Sequence, residues 1–557
     1  MSPLRSFPLR ALTLAALAVL AAPAHAQLPA PKLIVAISVD QLSADLFAEY
    51  RQHFTGGLKR MVNGVVFPSG YQSHAATETC PGHSTILTGA RPARTGIIGN
   101  GWIDQSVARG YKHIYCAEDE TRGPSSKAGE YVPSAVHLLV PTLGDRMKTR
   151  NPATRVVAVS GKDRGALMMG GARADQIWYL RPTDYARFET LRERTGPAPA
   201  AVAAVNGRID AALAAPAPAQ PLNPLCRSRA RAISIGGGQT VGDKAYARAV
   251  GDKRGFRNSP ESDAATIDLA TGLLDELRLG RGPATDLLAV SLSGTDFVGH
   301  TYGTSGSEMC LQLTALDAQL GRFFERLDAS GIDYVVTLTA DHGGLDLPER
   351  ATIQGAPDAV RVDTSLAPDK LNAQLRRELK LAVDPLLIEG ADVQVARAVP
   401  AARRAALLRR AAALYRASPL VETVLMGADL ARMPQPSGPP ESWSLADRAR
   451  ASYYPGRSGD LIVVLKPRVT PIPDPTRGYV ATHGSFWDYD RRVPILFWWK
   501  GVPPFEQPLG VETVDIMPTL ATLIGLPVPA TEIDGRCLDL DPGATSNCPI
   551  AAPQPRR

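Results

Sequence analysis

Three carboxylates, three histidines and two cations follow β-branched runs in this chain. LIVAISV (Leu33–Val39) leads into Asp40, and VVAVS (Val156–Ser160) into GKDRG with Lys162 and Arg164. LLAVSLS (Leu287–Ser293) leads into GTDFVGH with Asp296 and His300, and YVVTLTA (Tyr334–Ala340) into DHGG with Asp341 and His342. Beyond LIVVLK (Leu461–Lys466), ATHGS brings His483. Singly, each has an ordinary explanation as a helix cap, turn residue, helix neighbour or core histidine. Together, oxygen and imidazole donors in these numbers suit two Zn²⁺ ions, with manganese and iron left open at Asp/His sites. TETCPGHS adds a possible nucleophile, Cys80 by its low intrinsic pKa or Thr79 with strong help, although both also suit a helix start. His83, four residues after Thr79, would stand beside the site. His53, His74, His113 and His137 lack ligand-like spacing and read as surface or structural.

Such residues need a frame that gathers them. Continuous apolar strands, also including PILFWW (Pro494–Trp499), alternate with long Ala/Leu/Arg helical patterns. That alternation predicts an α/β fold with a mostly parallel central sheet flanked by helices. In such folds ligands bind beyond the carboxyl ends of the strands, where these residues lie. An insertion is expected over about 173–266, including the Ala/Pro stretch from 197. A cap or auxiliary subdomain is expected over about 355–480, with the helix pattern Ala401–Ser418. GGGxxxGDK, from Gly236, departs from the phosphate-loop pattern and reads as a turn.

Residues 1–26 read as a signal peptide: Arg5 and Arg10, an apolar run Ala11–Ala22, and Ala24-His25-Ala26 before the cut. That predicts a periplasmic or secreted protein without stable membrane insertion, folded over 27–550. The net charge of +6 becomes +4 once the two leader arginines go. So weak an excess tolerates anionic small molecules and makes no case for nucleic acid. All six cysteines follow the leader, and export would let them oxidise. Fifteen pairings are open; the working guess is Cys537–Cys548, Cys80–Cys116 and Cys226–Cys310.

The chain resembles the alkaline phosphatase superfamily, in particular the bacterial periplasmic zinc alkaline phosphatases with a threonine nucleophile, similar in core to nucleotide pyrophosphatase/phosphodiesterases. The resemblance rests on VDQLSADL, TxPGHSTILTGxxPxxxGIIGN, GKDRG, SGTDxxGHxYG, ADHGG and THGS, in that order. It implies an alkaline-phosphatase-like fold and two zinc sites, one of Asp296, His300 and His483, the other of Asp40, Asp341 and His342 with Thr79. It implies Thr79 as nucleophile through a phosphothreonine, and Asn100 of GIIGN as a phosphate contact. Lys162 and Arg164 meet the charge of a phosphate monoester, and GKDRG marks the monoesterase branch. The expected partners are thus small-molecule phosphate monoesters, for a monomer or weak oligomer.

The rival on the same fold is a phosphodiesterase or nucleotide pyrophosphatase. A non-catalytic exported zinc-binding protein would have no need of Thr79 and Lys162. A sulfatase would need C-x-P-x-R, whereas Pro81 follows Cys80 directly and Ser84 stands where arginine should.

Overall fold

The structure, a computed structural model, describes residues 30–191 and 197–549. The expected signal peptide lies outside the described residues. The central sheet has ten strands: β1 (Leu33–Val39), β2 (Val65–Tyr71), β3 (Val156–Ser160), β4 (Gln176–Leu180), β5 (Phe188–Glu189), β6 (Asp286–Leu292), β7 (Tyr334–Thr339), β8 (Arg492–Trp499), β9 (Phe505–Glu506) and β10 (Val511–Glu512). Their order is β9-β2-β8-β7-β1-β6-β3-β4-β5, with β10 also paired to β2. The run β7-β1-β6-β3-β4 is parallel throughout, so its carboxyl ends share one rim.

Both faces of this sheet are covered, which is why its strands are apolar at successive positions. Along β1, Leu33, Val35, Ile37 and Val39 join one buried cluster while Ile34 and Ala36 join the other. Fully burying each large side chain contributes about 1.5–3 kcal/mol. Helix α1 (Gly57–Val62), α4 (Gly294–Tyr302) and α5 (Ser307–Ala329) stand on the first face; α2 (Thr79–Ile86) and α3 (Asp163–Gly170) stand on the second.

Two expectations about strands are corrected. PILFWW belongs to β8, which pairs antiparallel with both β7 and β2. An apolar run marks a strand buried on both faces but does not encode its direction, which is set by how the long 340–491 segment returns to the sheet. LIVVLK forms the strand Leu461–Leu465, but in a separate antiparallel sheet with Leu386–Glu389, Asp392–Val395 and Val421–Met426. A β-branched run marks a strand without saying which sheet receives it. Within 173–266, β4 and β5 are strands of the central sheet, and the Ala-rich stretch forms the helix Ala200–Leu213. Among the described residues no helix is long and apolar enough to cross a membrane.

The disulfides are Cys80–Cys116, Cys226–Cys310 and Cys537–Cys548. They match the working pairing, and no described cysteine is free.

Candidate active site

The rim follows from the topology. Asp40 ends β1, Lys162 and Arg164 follow β3, Asp296 and His300 lie on α4 after β6, and Asp341 and His342 follow β7. Because β8 is antiparallel, its amino end reaches the same rim, and the segment before it delivers His483. β2 is antiparallel to β8 in turn, so its carboxyl end also arrives there and leads to Thr79 at the start of α2. The sequence reading missed β2, whose Pro68 and Gly70 interrupt the apolar pattern.

α2 and the β7 rim sit almost in contact. A Cβ at Gly82 would come 2.0 Å from the Asp341 carbonyl oxygen, so only glycine fits there. Gly294, at the start of α4, donates to the buried carboxylate of Asp263 at 2.8 Å, and Asp263 also accepts from Gln312 at 2.8 Å. That anchor holds the helix carrying Asp296 and His300.

The ligand-type residues fall into two groups, Asp296/His300/His483 and Asp40/Asp341/His342. In the first, Asp296 Oδ1 lies 3.2 Å from His300 Nε2 and 3.3 Å from His483 Nε2. In the second, His342 Nε2 lies 3.3 Å from Asp40 Oδ1 and 3.4 Å from Asp341 Oδ2. Asp40 Oδ1, Asp296 Oδ1, Asp341 Oδ2 and His342 Nε2 are buried without a hydrogen-bond partner among the described residues. Ligands bound about 2.0–2.1 Å from a tetrahedral ion stand roughly 3.3–3.4 Å apart. Orphaned donors at that spacing fit a cation in each group.

The ring orientations agree. His300 Nδ1 is 2.9 Å from the Ala481 carbonyl, His483 Nδ1 is 2.8 Å from that of Thr77, and His342 Nδ1 is 2.9 Å from that of Gly343. With the proton on Nδ1, each Nε2 presents its lone pair inward. Burial pushes the His342 imidazole down to about 3, with His483 adding to the effect against Asp341, so this ring is neutral as a ligand must be. Burial, Asp296 and Asp341 together raise the Asp40 carboxyl well above the ordinary range, Lys162 opposing them. Three carboxylates this close and this dry call for positive charge.

Lys162 supplies one such charge. Its ammonium, 2% exposed, donates to Asp40 Oδ2 at 2.6 Å and to Asp296 Oδ2 at 2.5 Å, bridging the two groups. Burial opposes the charge, but Asp296 and Asp40 outweigh it and raise the pKa. Lys162 Nζ and Arg164 Nη2 each lie 3.4 Å from Thr79 Oγ1. Asn100 Oδ1 accepts from the Cys80 amide at 2.8 Å, leaving its Nδ2 as a donor. Asp40, Asp296, His300, Asp341, His342 and His483 thus lie in two groups bridged by Lys162, Thr79 is within 3.4 Å of Lys162 and Arg164, and Asn100 is joined to this centre through the Cys80 amide. His83 stands beside it, with Nδ1 2.9 Å from the Thr79 carbonyl and Nε2 2.9 Å from Ser291 Oγ.

Sequence reasoning missed Glu78, whose carboxylate accepts from the Asn100 amide at 2.7 Å. It also missed Tyr115 and Tyr131, which donate to the two oxygens of Asp163 at 2.7 and 2.5 Å. Nothing in the spacing of a lone Glu or Tyr flags such a contact. Glu78 and His483 also line a cavity of about 470 Å³, with Ile388, Val393, Tyr415 and Val463 on its apolar wall. A largely apolar hollow beside a charged centre has room for the organic part of a substrate.

Two carboxylate–imidazole groups that could each hold a metal ion, close to a buried threonine hydroxyl and two cations, have the composition of a hydrolase centre. The chain belongs to the type I phosphodiesterase / nucleotide pyrophosphatase family, whose model matches residues 34–486, and with it to the alkaline phosphatase superfamily. It is 54% identical over 524 residues to alkaline phosphatase PhoK of a Sphingomonas species, covering 93% of this chain and 92% of that protein. Alkaline phosphatase PhoD of Zymomonas mobilis is 49% identical over 532 residues, 95% of this chain and 91% of that protein. The crystal structure of alkaline phosphatase PafA superposes with a TM-score of 0.79 at 25% identity, covering 91% of this chain and 98% of that one.

Proposed function

We propose that this protein is a secreted, zinc-dependent alkaline phosphatase that hydrolyses phosphate monoesters through a phosphothreonine on Thr79. The observation that carries the reading is the Thr79 hydroxyl with Lys162 and Arg164 both 3.4 Å away, Lys162 itself bridging Asp40 and Asp296 of the two groups of metal-type donors. Asp296, His300 and His483 would hold one ion, and Asp40, Asp341 and His342 the other, with Thr79 Oγ1 joining the second group. Ions held there supply Lewis-acid polarisation, lowering the pKa of hydroxyl groups and screening charge on phosphoryl oxygens.

The chain's own groups do the rest. The oxygen of Thr79 attacks phosphorus and the ester oxygen leaves; water then cleaves the threonine–phosphate bond, returning the hydroxyl. Arg164 meets two non-bridging oxygens as a fork, Asn100 donates through Nδ2, and Lys162 adds a point charge. The amino end of α2, where Thr79 sits, favours an anion through the dipole of its aligned peptides, the Cys80 amide itself being held by Asn100. Residues 355–480, with their own sheet, are read as a cap over the centre. The three disulfides suit an exported enzyme.

A second reading, a phosphodiesterase or nucleotide pyrophosphatase, is favoured by the family description alone. The donor set argues against it, since a diester esterifies one of the oxygens that Lys162, Arg164 and Asn100 are placed to meet. The test compares kcat/KM for p-nitrophenyl phosphate and its bis ester, with and without EDTA. The monoester should be preferred by orders of magnitude, and EDTA should abolish turnover. A diester preference would favour the second reading, and EDTA-insensitive turnover would exclude metal dependence.

A further inference from the structure

The hairpin of Gly101–Ile103 and His113–Tyr115 supplies none of the ligand-type residues or phosphate donors named so far. It nevertheless ends in two consecutive residues, Tyr115 and Cys116, that touch three separate parts of the site. Arg164 Nη1 donates to Tyr115 Oη at 3.4 Å, and Tyr115 Oη donates to Asp163 Oδ1 at 2.7 Å. The Cys116 amide donates to the Asn100 carbonyl at 3.0 Å. Its sulfur is bonded to Cys80, the residue after Thr79.

Each contact constrains a different group. With Nη1 taken by Tyr115, Arg164 keeps Nη2 towards Thr79 and an Nε with no partner among the described residues. Those are adjacent edges of one planar fork, and a phenol on the third edge sets the plane. Asn100 is held at three points: its amide by Glu78, its carbonyl by Cys116, and its side-chain oxygen by the Cys80 amide. The hairpin itself is anchored by Glu118, fully buried, which accepts from the Tyr115 amide at 2.9 Å and pairs with Arg109 at 2.5 Å.

We infer that Tyr115–Cys116 is the positioning element for the phosphoryl-oxygen donors, and that Tyr115, acting through Arg164, sets the preference for dianionic over monoanionic phosphate esters. The inference rests on the reading that Arg164 meets two non-bridging oxygens as a fork. A monoester presents one more charged oxygen than a diester. An Arg164 fork free to swing therefore loses more on the monoester, where the charge-assisted contact is worth most. Tyr131 is the natural control: it donates to the other oxygen of Asp163 at 2.5 Å but makes no hydrogen bond to Arg164.

The experiment measures kcat/KM for p-nitrophenyl phosphate and its bis ester, and inhibition by inorganic phosphate, on the metal-loaded protein. The variants are Tyr115→Phe, Tyr131→Phe, Arg164→Ala and the Tyr115→Phe/Arg164→Ala double. Tyr115→Phe should lower the monoester-to-diester ratio about ten-fold and weaken phosphate inhibition similarly. Tyr131→Phe should hold the ratio within about two-fold, and the double variant should fall no lower than Arg164→Ala alone. Equal losses on both substrates in Tyr115→Phe, or an equal drop in ratio in Tyr131→Phe, would overturn the inference. If Arg164→Ala lowers the ratio and Tyr115→Phe does not, the inference alone fails. If Arg164→Ala leaves the ratio intact, the reading of Arg164 falls first and takes the inference with it.

Discussion

Thr79 and Cys80 are neighbours with different lives. The sulfur is spent on Cys116, and the hydroxyl is left facing two cations. Thr79→Ala should therefore cost at least about 1,000-fold in p-nitrophenyl phosphate turnover, and acid quenching during turnover should trap no phosphate on the chain. His74 is a contrasting case. It reads from sequence as surface or structural, and it is fully buried with both ring nitrogens unpaired among the described residues. Burial first, then Arg491 and Arg91, depress its pKa from 6.5 to about 3. Between those values the unfolded chain binds a proton that the fold refuses. Stability at His74 is thus full above pH 6.5 and is lost as pH falls towards 3, by at most about 1.4 kcal/mol per unit. Denaturant midpoints at pH 6.5 and 4.5 should move further apart for the wild type than for His74→Leu.

At the scale of elements, one side chain organises a helix start. Asp317 on α5 accepts from the amides of Thr55, Gly56 and Leu58 at 2.7 Å each and of Lys59 at 3.3 Å, meeting the unpaired N–H groups that open α1. Asp317→Ala should cost roughly 2–4 kcal/mol in chemical denaturation, while KM for the monoester stays near the wild-type value. That carboxylate was invisible in sequence, because its partners lie more than 250 positions away. The same limit explains the strands. β1, β3, β6 and β7 were legible as continuous apolar runs followed by chemistry, and the ligands with them. The sheet membership of Leu461–Leu465 and the direction of β8 were not, since both depend on pairing partners that local pattern does not encode. Tyr115 and Glu78 were illegible for a related reason: each acts by touching a residue that is itself conspicuous.

At the scale of the whole molecule, the two ligand groups join the ends of β1 and β7 and helix α4 to the loop before β8. With no ion, Lys162 bridges the carboxylates of Asp40 and Asp296, while Asp341 has His83 Nδ1 at 3.1 Å. Removing metal with EDTA should lower Tm by roughly 5–10 °C, and adding Zn²⁺ should restore it together with activity. The antiparallel course of β8 has a consequence for how the enzyme is made. Asp40 emerges early, but His483 arrives only with the segment that β8 draws to the rim. A nascent chain that stops short of residue 483 carries one complete ligand group and a crippled second one. The two groups together are therefore encoded across residues 40–483, and the one that holds His483 is incomplete until that residue has been synthesised.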